Sequence, residues 1–182
     1  MRLVRVVHSL DAGPRSRDAR YFVDDPLVAF WHRFVRPNMS SVMQGFGHDI
    51  WRHQVAPRLD EYMGGAFEEI CRGHARRHAQ EALPSPAQEI GQIWSADYDI
   101  DVAGCLLDGS MLYGECKWRR GAIGADILAT LIERAERTEY GRGVEDRHFI
   151  LYARTGFKAG VHERGEEDGR VVLMTPSTML AL

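Results

Sequence analysis

The feature of the sequence that most constrains its fold is a pair of strand-like runs separated by a tight-turn signal. Residues 98–107 and 111–118 have the apolar content and the two-residue period of strands. Asp108, Gly109 and Ser110 lie between them and are typical of a short hairpin turn. The sequence therefore predicts an antiparallel hairpin.

The segments around this hairpin predict the rest of the fold. Before it we expect a helix over residues 57–79, interrupted at Gly64-Gly65, then a loop over 82–88 and a strand over 92–96. After it we expect a helix over 125–140 and strands over 148–153 and 171–174, joined by a polar stretch. This order predicts an α/β fold, an αβββαβ sandwich with a central mixed sheet.

The N-terminal third has a different pattern. We expect strands at residues 3–7 and 21–23, joined by the polar loop 11–19. Asp24-Asp25-Pro26 is a helix-start signal, and Pro37-Asn38 is expected to end that helix. A more variable helical region follows. We therefore divide the chain into residues 1–56, a hairpin with helices, and residues 57–182, which hold the sandwich.

Composition excludes several classes of protein. The chain has 182 residues, a formal net charge of −3 and three cysteines without a CxxC pair. An odd cysteine count predicts neither a disulfide framework nor a zinc knuckle, so buried thiols are expected. No apolar run has the length of a membrane span or of a signal core, which predicts a cytoplasmic protein.

Charged side chains converge on the predicted hairpin. Alternation places Asp99 and Asp101 on one face of the first strand, and Glu115 and Lys117 on one face of the second. Directly opposed side chains of an antiparallel pair lie roughly 5 Å apart. Two carboxylates and one ammonium group are therefore expected to meet.

Those groups suit a divalent metal ion. Mg²⁺ prefers oxygen ligands, typically one or two carboxylates with water and phosphate, and Mn²⁺ would serve similarly. Asp101, Glu115 and the backbone carbonyl of Cys116 are the predicted ligands, and Lys117 is expected to orient a water or stabilise negative charge. A plain ion-paired hairpin explains the same residues, and the pattern alone leaves both interpretations open.

The hairpin DYDIDVAGCLLDGSMLYGECKW and the helices on either side of it carry a resemblance to known proteins. The hairpin with its flanking helices resembles PD-(D/E)XK, restriction-endonuclease-like proteins. More narrowly, the chain resembles the C-terminal domain of archaeal and bacterial DEXX-box ATPases, a domain family whose function is not established. The matching stretches are YFVDDPLVAFWHRFVRPN, YMGGAFEEICR, IGQIW, DIDVAG, GECKWR and ILYARTGF.

The resemblance implies a catalytic set of Glu68, Asp101, Glu115 and Lys117, with Glu68 as an added helix-borne metal ligand. It also implies that residues 1–56 include the remnant of a winged-helix segment. Two departures stand out. Ile100 replaces the proline before Asp101, and no GxxxxGK[ST] loop is present. The chain is then either a shortened relative that works alone or one that works with an ATPase partner in trans.

Simpler interpretations compete for several other residues. We expect His74 and His78 to lie on a solvated basic face, and Phe30, Trp31, Phe34 and Trp94 to be packed. Arg119 and Arg120 either contact phosphates or are ordinary exposed arginines.

Two functions follow as hypotheses. The first is a metal-dependent nuclease acting on DNA, of a type that often works as a homodimer. The second is a catalytically silent module with the nuclease fold that binds or regulates an ATPase partner or nucleic acid.

Overall fold

The N-terminal segment begins with a small two-stranded sheet. The computed structural model describes residues 3–13 and 18–181. Strands β1, Val4–His8, and β2, Ala19–Val23, pair in antiparallel orientation, as expected. Residues 14–17 of the predicted polar loop lie outside the described residues.

A chain of short helical elements follows this sheet. They are α1, Pro26–Phe30, α2, Met39–Met43, and α3, Gly47–Ile50. The predicted helix start is confirmed, because the Asp25 carboxylate accepts the N–H groups of Leu27 and Val28 at 2.7 and 3.1 Å. An aspartate at this position satisfies N–H groups that have no partner within the helix.

Two wide turns of the π type lie in this region, each just before a proline. They span Trp31–Val35 and Trp51–Val55, and each is closed by an N–H that bonds a tryptophan carbonyl five residues back. Because proline lacks an N–H and clashes with the preceding turn, a local widening accommodates it. The prediction that the first helix ends at Pro37-Asn38 is therefore wrong, since helical turns continue to Met43.

The C-terminal two thirds contain a five-stranded mixed sheet. Its order is β3-β4-β5-β6-β7, with antiparallel pairing among the first three strands and parallel pairing among the last three. The strands span Ala87–Trp94, Asp99–Leu106, Met111–Lys117, Arg147–Ala153 and Val171–Met174.

Long helices cover the two faces of this sheet. Helix α4, Ala56–Ala82, precedes β3, and helix α5, Ala125–Arg137, lies between β5 and β6. Side chains of α4 such as Phe67 and Cys71 pack against one face, and Leu128 and Leu131 of α5 pack against the other. The predicted αβββαβ order is thus confirmed.

Several boundaries differ from expectation. Strand β3 begins at Ala87 within the predicted loop 82–88, because it pairs with β4 over its whole length. Helix α4 runs uninterrupted through Gly64-Gly65. Helices α6, Ala159–Asp168, and α7, Pro176–Met179, were not predicted, because α6 buries only Val161 and α7 has a single turn.

The N-terminal segment is tied to the sandwich by Asp11. One oxygen of its carboxylate accepts the N–H of Tyr140 at 2.7 Å and the hydroxyl of Thr138 at 2.5 Å. The other oxygen accepts the Tyr98 hydroxyl at 2.8 Å. Beside it, Leu10 donates its backbone N–H to Gln92 of β3 at 3.0 Å.

Two expectations from composition can be compared with the structure. Cys71 and Cys116 are buried free thiols, as expected, whereas Cys105 is only half-buried. Among residues 3–13 and 18–181, no helix combines the length and the apolar character needed to cross a membrane.

Candidate functional site

The site is built around an irregularity in β4. Between the pairs Gly91↔Ala103 and Ile93↔Ile100, the single β3 residue Gln92 faces two residues of β4, Asp101 and Val102. This is a β-bulge, a feature that re-aims side chains and is frequent next to active sites.

The bulge breaks the alternation that the sequence predicts. Ile100 packs on the α5 side of the sheet, whereas Val102 packs on the α4 side. The two-residue alternation predicted for this strand is therefore wrong at the bulge.

The strands β4 and β5 separate at this point. Their paired register ends at Val102↔Gly114, and beyond it the Asp101 carboxylate accepts the backbone N–H of Cys116 at 2.9 Å. A side chain thus replaces a backbone partner, and the carboxylate is held between the two strands. The Asp101 carboxylate thus contacts the backbone of β5 between Glu115 and Lys117.

The ionisation of Asp101 is strongly perturbed. Burial, together with the nearby Glu115 and Glu68 carboxylates, raises the pKa of Asp101 to about 7. The bond from Cys116 and the charge of Lys117 act in the opposite direction and are outweighed. Three carboxylates in this arrangement repel one another, and a cation would relieve that repulsion.

Glu115 is buried between two cations. One carboxylate oxygen accepts a short hydrogen bond from the Lys117 ammonium group, and the other lies 3.4 Å from the Arg134 guanidinium of α5. Burial alone would lower the pKa of Lys117, but the hydrogen bond and charge of Glu115 outweigh it, and the pKa is raised. Lys117 is therefore a cation at neutral pH.

Glu68 reaches the same region from α4. Burial raises the pKa of Glu68, and the Asp99 and Glu115 carboxylates add to this effect, while Arg72 opposes it. The Arg72 guanidinium lies 3.8 Å from the Glu68 carboxylate.

Arg72 links α4 to the bulge. It is only 5% exposed, and it donates to the backbone carbonyl of Asp101 at 2.8 Å. It also bonds Glu69, whose carboxylate in turn accepts from Arg5 of β1 at 2.8 Å. A continuous set of ion pairs, ending in the hydrogen bond from Arg72 to the Asp101 carbonyl, therefore runs from the N-terminal sheet to the centre of the site.

Sequence reasoning missed Arg72 and Arg134. Arg72 follows Glu68 by four residues, the spacing of neighbours on one helix face, which was an available signal. Arg134 gave none, because its contact with Glu115 depends on how α5 crosses the sheet.

The donor set fits a hard divalent cation. Asp101 and Glu115 present carboxylate oxygens, and Mg²⁺ commonly binds proteins through one or two carboxylates with water completing the shell. Within the described residues, no three His, Cys, Asp or Glu side chains lie close enough together to hold a metal ion. The fit thus rests on two carboxylates, and the Cys116 carbonyl and Glu68 remain predicted ligands.

Other expectations have mixed outcomes. His74 is buried with its Nδ1 atom 3.1 Å from the Tyr152 hydroxyl, so its placement on a solvated face is wrong. Trp31 is 41% exposed and does not belong to the core, although Phe34 does. Trp94 is buried and packed, as expected.

This mixed α/β sandwich is similar to known proteins in sequence and, in part, in structure. The chain belongs to DUF234, a family described as archaea bacterial proteins of unknown function, which its residues 31–136 match. An uncharacterised protein of Methanocaldococcus jannaschii is 27% identical over 158 residues. That match covers 84% of this chain and 34% of the relative, so the chain spans about a third of the relative's length.

Two solved structures show partial similarity. A repair endonuclease from Pyrococcus abyssi is 20% identical, with a TM-score of 0.34 over 48% of this chain and 38% of that one. The EndoMS–dsDNA2 complex is 18% identical, with a TM-score of 0.39 over 60% of this chain and 44% of that one.

Proposed function

We propose that the chain is a metal-dependent nuclease that hydrolyses phosphodiester bonds in DNA. The observation that supports it is the convergence of Asp101, Glu115 and Lys117 at the point where β4 and β5 separate. Glu68 on α4 adds a carboxylate that interacts electrostatically with Glu115 and Lys117. Strongly perturbed carboxyl groups clustered with a cation are typical of functional sites.

Each residue has a distinct role in this proposal. Asp101 and Glu115 would hold Mg²⁺ or Mn²⁺, which lowers the pKa of a bound water and neutralises phosphate charge. Lys117 is protonated at neutral pH, so it serves as a donor to a developing negative oxygen and not as a general base. Arg72 keeps the bulge in place and so orients the Asp101 carboxylate.

The cations around Glu115 bear on how the site would work. Lys117 and Arg134 together engage both carboxylate oxygens. Each oxygen keeps a second lone pair, so Glu115 could bind a metal ion while both cations stay beside it. In the proposed reaction, the Lys117 ammonium group would also donate to the phosphate.

A second function is favoured by a different observation. The first helical segment exposes an apolar face, with Leu27 at 75% and Trp31 at 41% exposure. Exposed apolar patches mark surfaces that bind other proteins. This favours a silent module that docks on a partner, such as an ATPase in trans or a second copy of the chain.

Metal binding separates the two functions. Calorimetric titration of Mg²⁺ and Mn²⁺ should give binding to the wild type that is lost in Asp101→Asn and Glu115→Gln. Asp97→Asn is a matched control, because that carboxylate is 78% exposed and its ion pair among the described residues is with Arg137. A wild type that binds no better than the two site variants at millimolar metal overturns the catalytic proposal and leaves the silent module.

A further inference from the structure

A group of arginines lies directly beyond Lys117. Arg119 and Arg120 follow it along the chain, and Arg154 follows the end of β6. Arg154 donates its backbone N–H to the Lys117 carbonyl at 3.1 Å, and Thr155 bonds the Arg119 carbonyl at 3.5 Å. The three arginines therefore belong to one continuous surface, which we call the β5–β6 strip.

Positive charge in the strip exceeds its carboxylate partners. Arg154 and Arg120 share the single carboxylate of Asp60, at 2.9 and 3.6 Å. The Arg119 side chain has no carboxylate partner within the described part of the chain. Asp60 thus pairs with two of the three guanidinium groups, in a protein whose net charge is −3.

The opposite side of the site is balanced. There, Arg134 lies 3.4 Å from the Asp99 carboxylate, and Arg137 lies 4.0 Å from that of Asp97. Both of these arginines have an aspartate of their own. The strip beyond Lys117 instead has three arginines whose ion pairs, among the described residues, share one aspartate.

Part of the strip is also held in a fixed orientation. The Arg154 guanidinium lies 4.6 Å above the Trp118 ring, and that ring packs against Phe67 of α4 at 5.1 Å. Arg120, by contrast, is 86% exposed. A planar guanidinium that is already oriented loses little entropy when it binds a phosphate in bidentate fashion.

We propose that the β5–β6 strip binds the phosphodiester backbone of DNA and leads it into the site from the β5 side. This rests on the proposed nuclease function for its direction, although the binding itself does not require catalysis. Asp60 has a specific part: its carboxylate occupies Arg120 and Arg154 in the free protein, and the phosphate displaces it.

The role of Asp60 distinguishes this proposal from ordinary surface arginines. If the arginines merely form ion pairs, then removing Asp60 has no effect on DNA binding or harms it through misfolding. If Asp60 competes with phosphate, then Asp60→Asn makes binding tighter. Asparagine keeps the shape and removes the charge, and the side chain is 49% exposed, so the fold should tolerate the change.

The test is binding of a 20-base-pair DNA duplex by fluorescence anisotropy in EDTA, at several salt concentrations. The double variant Arg119→Ala/Arg120→Ala should bind at least about tenfold more weakly, and its salt slope should fall by about 2, since each lost phosphate contact removes about 0.9. Asp60→Asn should bind roughly threefold or more tightly.

A matched control comes from the far end of the sheet. Arg142 and Arg170 are exposed arginines paired with Glu139 and Asp168, and replacing both with alanine removes the same net charge. This control should bind nearly as the wild type does. Equal losses in the two double variants, absent binding by the wild type, or an unchanged or weaker Asp60→Asn would each overturn the proposal.

The two proposals can fail separately. Salt-dependent binding that needs the strip, together with absent metal binding, would sustain the strip and refute the nuclease. Metal binding at Asp101 and Glu115, together with strip variants that bind DNA as the wild type does, would sustain the nuclease and refute the strip.

Discussion

At the scale of single residues, folding favours one protonation state of Asp101 and the proposed function needs the other. Its carboxyl group must be ionised to hold a cation, yet burial and two neighbouring carboxylates favour the neutral form. Two elements supply those neighbours, Glu68 from α4 and Glu115 from β5, while Lys117 opposes them. The metal-free protein is therefore less stable with Asp101 ionised than with it protonated.

We therefore expect that neutralising the Asp101 side chain raises the free energy of unfolding by an amount that depends on pH. The native pKa of about 7 lies above the ordinary value of 3.8, so the native state holds the proton more tightly than the unfolded state does. The contribution of Asp101 to stability is complete below about pH 4 and is lost as the pH rises through 7.

Urea unfolding in EDTA measures this directly. Between pH 5 and pH 8, the stability of Asp101→Asn relative to the wild type should rise by roughly 1 to 3 kcal/mol. Asparagine retains an oxygen for the Cys116 N–H, so the comparison isolates the charge. A relative stability that is the same at both pH values would contradict the explanation.

At the scale of elements, the glycines of α4 and β4 differ in how much space surrounds them. Gly64 and Gly65 lie inside the 27-residue helix α4, and an added Cβ atom would meet nothing within 4 Å. Gly104 lies in β4, where a Cβ atom would be 2.1 Å from the backbone carbonyl oxygen of Glu89. The first two are tolerated in the helix, and the third is required by the close approach of β3.

Alanine substitutions should therefore act in opposite directions. Gly64→Ala and Gly65→Ala should each raise the free energy of unfolding by about 0.5 to 1 kcal/mol, because alanine loses less backbone entropy in a helix. Gly104→Ala should lower it by roughly 2 kcal/mol or more, since two strands must move apart. Thermal unfolding of the three variants checks both directions, and a stabilised Gly104→Ala would refute the packing explanation.

Sequence patterns predicted the elements that carry their own apolar period. The hairpin, α4 and α5 are of this kind, and so the order of the sandwich followed. The bulge at Asp101 did not follow, because it depends on the pairing of β3 with β4 and leaves no mark in either strand alone. Helix α6 escaped prediction for a related reason: it buries one residue and shows almost no apolar face.

At the scale of the whole molecule, the N-terminal segment and the sandwich share several contacts. Asp11 accepts hydrogen bonds from residues before and after α5, and Arg5 reaches Glu69 of α4. The sequence placed a boundary at residue 56, yet these contacts cross it. We expect the two parts to unfold together.

Asp11 tests this expectation. Asp11→Ala removes three hydrogen bonds, although Tyr98 and Tyr140 each keep a longer one, and should lower the free energy of unfolding by about 2 kcal/mol. Asp49→Ala, in the same segment but at an exposed position, should change it by no more than about 0.5 kcal/mol. Circular dichroism and tryptophan fluorescence should give one coincident transition, and two separated transitions would show that the parts fold independently.

The two buried cysteines have a practical consequence for following motion in this protein. Cys71 of α4 and Cys116 of β5 lie together behind the site, and burial, together with the hydrogen bond between the two thiols, raises the pKa of the Cys116 thiol. A thiol-modifying reagent can reach either one only when the helix lifts from the sheet. The rate at which these two thiols are modified, compared with the rate for the half-buried Cys105, therefore reports how often α4, which carries Glu68, separates from the sheet.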